Sequence, residues 1–119
     1  MNESDIILST VKEQVNIEDE TTEFDSDIRS LVNSAFFSLY QVGVGPSKPF
    51  FVSDTTTWEE FVTEVPKDVV LEYIVLKTRL VFDPPATSTI IDAYKDRISE
   101  LEFRMNIEVD NGGGIADGG

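Results

Sequence analysis

The chain has no cysteine and no histidine, and only nine Lys and Arg residues against 23 Asp and Glu. Without cysteine there are no disulfides, no thiolate nucleophile and no cysteine-ligated zinc. Without histidine the usual general base, the triads built on it and the commonest metal ligand are also missing. Most enzyme classes are set aside on these grounds, and neither a cofactor nor a metal is expected. A formal net charge of −14 leaves too few cations for a sequence-independent grip on DNA. No apolar run approaches the roughly 20 residues of a membrane span, and Ile6-Ile7-Leu8 is too short, and lacks the basic flank, for a signal peptide. A cytosol-like compartment and no membrane partner are therefore expected. With 119 residues, one domain with a real core is the natural reading.

What is present is helical periodicity. The spacing predicts an all-α fold: a small bundle of four main helices, a short extra helical turn and an extended C-terminal tail. Ser4 or Asp5 is placed to cap a first helix carrying Ile7, Leu8, Val11 and Val15, with Asn16 as its stop. An acidic connector from Glu18 to Glu23 follows. Asp25-Ser26-Asp27 opens a second helix, whose stripe is Ile28, Leu31, Val32, Ala35, Phe36, Leu39 and Tyr40, with Phe37 off its centre and expected to widen the buried face. Gly43 suits the residue that ends it. Gly43-Val44-Gly45-Pro46 has only a faint likeness to a phosphate loop, because the Gly-Lys-Ser/Thr signature and the preceding strand are absent.

Phe50-Phe51-Val52 is too short to found a sheet and reads as an extended segment laid over the helices. Thr57-Trp58-Glu59-Glu60 matches a capping box and predicts a brief helical turn. Trp58 either covers the core or anchors a protein interface. Pro66 precedes a third helix from Val69 that is apolar on nearly every side, with Glu72, Arg79 and Asp83 along one narrow strip and Lys77 elsewhere. Such a helix is central to a small core, or packs one face on another subunit. Asp83-Pro84-Pro85 stops it sharply.

Thr87-Ser88-Thr89 caps a last helix in which Ile91, Tyr94, Ile98, Leu101 and Met105 form a seam at alternating spacings of three and four. It is expected to lie along the third helix as an antiparallel hairpin, with Phe103 pointing away from the seam. From Asn106 the pattern alternates and then becomes glycine-rich. The division is therefore a helical domain over 1–105 and an extended, flexible tail over 106–119.

Carboxylates are the only abundant reactive groups, and none forms a recognisable catalytic constellation. Glu59 and Glu60 are explained by capping, and Asp68, Glu72, Asp92 and Asp96 by ion pairs with nearby Lys and Arg. An enzyme is not expected. Before Ile28 the only basic residue is Lys12, whereas Lys67, Lys77, Arg79, Lys95, Arg97 and Arg104 fall in the last two helices. If that separation survives folding, identical copies could pair head to tail, the geometry that closes into rings.

Four segments carry a resemblance: Asp25-x-Asp27-Ile28 after an acidic loop, Gln41-x-Gly43-Val44-Gly45-Pro46, Trp58-Glu59-Glu60-Phe61, and Leu76-Lys77-x-Arg79-Leu80-x-Phe82-Asp83-Pro84-Pro85. In this order and spacing the chain, from about Ile6 to Val109, resembles the head-tail connector proteins of long-tailed bacteriophages. The resemblance implies a structural adaptor forming a ring, twelvefold, on the portal protein at the capsid vertex of the virion, assembled in the host cytoplasm. It implies that the ring extends the DNA channel without binding DNA specifically and docks a stopper or tail-completion protein. It also implies portal attachment through the C-terminal segment, here Ile107 and Val109. Lys77, Arg79, Phe103 and Trp58 are the candidates for contacts between subunits. The alternative is an acidic, non-enzymatic regulator that covers a basic protein surface as a DNA mimic does.

Overall fold

In the computed structural model, which describes residues 5–18 and 20–109, the chain folds as four α-helices: α1 Ile7–Gln14, α2 Asp25–Gln41, α3 Lys67–Phe82 and α4 Ser88–Val109. A single 3-10 turn, Trp58–Glu60, interrupts the connection from α2 to α3. Among the described residues there is no strand, only an isolated bridge between Ile6 and Thr57. This is the all-α bundle, extra turn included, that the periodicity predicts.

Local chemistry sets most of the boundaries. Asn16 has φ 64 and Gly43 has φ 87, so α1 and α2 end alike. The Asn16 and Ile17 amides return to the carbonyls of Glu13 and Lys12, and those of Gly43 and Val44 return to Tyr40 and Leu39. Each end is a Schellman closure, which satisfies the last free carbonyls of its helix. The start of α1 differs from expectation. Ser4 lies outside the described residues, and the N-cap is Ile6, which offers no side-chain acceptor. The Ile7 amide donates instead to the Thr56 carbonyl at 3.0 Å, so a distant loop does what a local cap would do. Glu60 reaches back to accept the Thr57 amide at 2.8 Å, completing the capping box.

Helix α3 touches α1, α2 and α4. Its all-round apolar character follows from that position: Val70, Tyr73 and Ile74 are fully buried, and Val69, Leu71, Val75 and Leu76 pack against the core from its edges. Three neighbours within the same chain cover the faces of this helix, and of its apolar residues only Val81 is strongly exposed. Ile7, Leu8 and Val11 of α1 and Ile28, Val32, Ala35, Phe36 and Leu39 of α2 complete the centre. The extended segment contributes a ring cluster in which Phe36, Phe50 and Phe61 lie 4.8–5.0 Å apart. Asn33 fixes that segment, accepting the Val52 amide at 2.6 Å.

Helix α4 runs back along α3 after the Asp83-Pro84-Pro85 corner. Val65 and Val69, around the start of α3, share a groove with Leu101 and Met105 near the end of α4, as antiparallel partners do, and Glu72 meets Arg97 and Tyr73 meets Glu102 across the pair. Leu101 and Met105 of the seam are buried, while Ile91, Tyr94 and Ile98 are half-buried. One boundary is corrected. The alternation from Asn106 suggests an extended tail beginning there, yet α4 continues through Val109. Val109 follows Met105 by four residues and so extends the seam by one turn. The Asn106 amide group donates to the Val42 carbonyl at 3.1 Å, tying this turn to the end of α2. Residues 110–119, the rest of the expected tail, lie outside the described residues.

Candidate functional site

Two of the expected contact residues are engaged within the chain. Trp58 is half-buried against the core, donates its ring N–H to the Thr10 hydroxyl at 3.2 Å and lies beneath the Lys67 ammonium at 5.4 Å. Lys77 donates to the Ser38 hydroxyl at 3.1 Å and stands over the Tyr73 ring at 5.3 Å. Arg79 is half-buried on the strip of α3 that also carries Glu72, and its Nε is buried without a hydrogen-bond partner. Phe103 is 67% exposed and Ile107 42% exposed. Val109 turns inward beside Gly43 and helps to line a shallow depression with Pro46, Val62 and Thr63. The structure therefore brings Phe103 and Ile107 together, one helical turn apart on the outer face of α4.

The charges are arranged differently from the sequence picture. Lys12 is almost fully buried, with its ammonium 2.8 Å from both the Asp25 carboxylate and the Thr21 carbonyl. Arg29 pairs with Asp54, and Arg97 bridges Glu72 and Glu100, which also receives Arg104. The hydrogen bond from Arg97 holds the Glu72 carboxyl below its ordinary value, outweighing the opposing effect of burial. Glu100 is lowered first by Arg97 and then by Arg104. Burial, followed by its hydrogen bond to Glu102, pushes the Tyr73 phenol up. Four cations, Lys12, Arg29, Arg97 and Arg104, are thus paired with carboxylates inside the subunit.

The Gly43–Pro46 segment is structural. Gly45 has φ 98, and a Cβ there would fall 2.5 Å from the Phe61 ring. The glycine admits the close approach of an aromatic side chain rather than of a phosphate. A groove of about 230 Å³ between the start of α3 and the end of α4 is floored by Val65, Val69, Leu101 and Met105. Among the described residues no cluster of carboxylates is placed to hold a metal ion, and no helix is long and apolar enough to cross a membrane.

Sequence reasoning missed one surface. Phe37 and Tyr40 of α2 are both exposed, with ring centroids 5.9 Å apart. Ser30, Ser34 and Gln41 continue the same outer face, also exposed. No charged residue occurs from Ser30 to Ser47. In a chain that is 27% charged, that run is a signal the sequence already held, because charge depletion with aromatic enrichment marks the centre of protein interfaces.

A small helical bundle with aromatic and aliphatic side chains on the outer faces of two different helices defines a module for contact with other proteins. The family model described as phage connector protein matches residues 7–112. The chain belongs to that family and is a structural connector component of a phage particle. No curated protein and no solved structure matched it.

Proposed function

We propose that the protein is a head-tail adaptor whose copies form a ring, twelvefold, on the portal protein at the capsid vertex. The ring extends the DNA channel and offers its far side to a stopper or tail-completion protein. Assembly takes place in the host cytoplasm. The observation that carries this reading is the family match across residues 7–112. The charge supports it. A wall of subunits carrying −14 each repels phosphates over a Debye length of about 8–10 Å at ordinary salt, so DNA passes without being held.

In this reading Arg79 and Phe103 are the leading subunit contacts. Trp58 and Lys77 act mainly by holding the surfaces that carry those contacts. Ile107 faces outward toward the portal or the next subunit, whereas Val109 supports it from within. The test is native mass spectrometry and light scattering of the chain alone and with the portal protein of its phage. The chain alone at low concentration is expected to be monomeric, and the mixture to give a stoichiometric complex. Arg79→Glu is expected to weaken that complex while leaving helicity unchanged. A wild-type monomer that neither assembles nor binds a portal overturns the reading.

A further inference from the structure

Each copy carries a net charge of −14, and at least five of its nine cations already have carboxylate or carbonyl partners within the subunit or stand over an aromatic ring. Two copies therefore repel one another over most of their surface, and only places free of charge can meet without cost. The outer face of α2 is such a place. Phe37 and Tyr40 stand out from it, and the serines and Gln41 around them are uncharged. At its border Arg29 is neutralised by Asp54 at 2.6 Å, and Lys77 is turned onto Ser38 and the Tyr73 ring. A basic partner would gain nothing from such a face, whereas an equally acidic copy gains by avoiding its own repulsion.

The complementary surface lies on α4. Phe103 and Ile107 share a face one turn apart, opposite the Leu101–Met105 seam. Beside them Glu100 and Arg104 neutralise each other at 3.0 Å. The two patches lie on different helices, each pointing away from α3, so a contact between them is heterologous and leaves a free patch at both ends of every pair. Resting on the ring reading, we infer that the charge-free face of α2, centred on Phe37 and Tyr40, packs against Phe103 and Ile107 on α4 of the next copy.

The test uses two surface variants, Phe37→Glu and Phe103→Glu, each placing a carboxylate at an exposed position. Circular dichroism and thermal melts first establish that both fold as the wild type does. Under conditions where the wild type assembles, alone or on the portal protein, each variant is expected to lose about tenfold or more in subunit association, as an aromatic anchor would. Mixed together, the two variants are expected to give a heterodimer in native mass spectrometry, because one intact α2 face and one intact α4 face remain. Raising NaCl from about 0.05 to about 0.5 M should strengthen wild-type association, since screening relieves the repulsion between acidic copies and the centre of the junction is uncharged.

Variants that assemble like the wild type overturn the inference and leave the ring reading standing. So does a blocked pair that gives no heterodimer when mixed, because the two faces then do not meet. A Phe37→Glu ring of normal size that fails to bind the stopper assigns the α2 face to that protein and overturns the inference as well. A wild-type chain that never assembles, with or without portal, overturns the ring reading itself.

Discussion

Arg97 on α4 grips Glu72 on α3 through two hydrogen bonds, Nε to one carboxylate oxygen at 2.7 Å and Nη2 to the other at 2.9 Å. This bidentate pair joins the two helices of the hairpin about midway along α4, where the seam changes from half-buried to buried. Planar guanidinium and carboxylate groups fix direction as well as distance, so the pair sets the register of α4 on α3. The register in turn decides which residues of α4 face outward.

The pH dependence of this contact has a definite sign. The folded state lowers the Glu72 pKa below its ordinary 4.5. Its stabilisation is therefore present above that value and lost as pH falls through the lowered folded value. Glu72→Gln is expected to melt earlier than wild type at pH 7, with the difference closing as the pH falls below the ordinary carboxylate range. Thermal melts across pH 3–8 would read this, and a gap that stays constant with pH would show that the pair contributes nothing through its charge.

Lys12 and Asp25 form the most buried ion pair, with side-chain exposures of 4% and 25%. Removing one partner leaves a charge with no compensation in a partly desolvated place. Lys12→Met should cost about 2–3 kcal/mol, the lower side of the usual range because Asp25 keeps some solvent. The double variant with Asp25→Asn should recover part of that loss. Urea unfolding of the four proteins gives the coupling directly.

Gly45 faces two penalties at once, a positive φ and the Phe61 ring within 2.6 Å of any added Cβ. Gly45→Ala is expected to destabilise by about 2 kcal/mol or more through strain and displacement of the ring. The Phe36–Phe50–Phe61 cluster should loosen with it, read as faster amide exchange at Val52 and Phe61.

Thr78 is fully buried, and its hydroxyl has no hydrogen-bond partner. Replacing it by valine keeps the shape and removes the desolvated group. Thr78→Val should therefore stabilise the protein by about 1 kcal/mol, raising the midpoint of a thermal melt by a few degrees. A lower midpoint would show that the hydroxyl is satisfied in solution.

The sequence by itself determined the elements and several of their ends. Asn16, Gly43 and Asp83-Pro84-Pro85 stop helices through their own backbone preferences, and Thr57 with Glu60 starts one through its own side chains. Apolar residues at helical spacing likewise announced α2 and the α4 seam, because each reports on a face only a few residues long. What depends on distant parts of the chain was settled by the tertiary structure. Val109 belongs to α4 because Val42 and Gly43 lie beside it. The start of α1 is held by Thr56, Lys12 is buried by the connector that supplies its partners, and Arg97 finds Glu72 on another helix. Above all, periodicity put Tyr40 on the buried stripe and left Phe37 off its centre. Only the packed bundle decided that both rings remain outside, because burial is fixed by which surfaces are already filled.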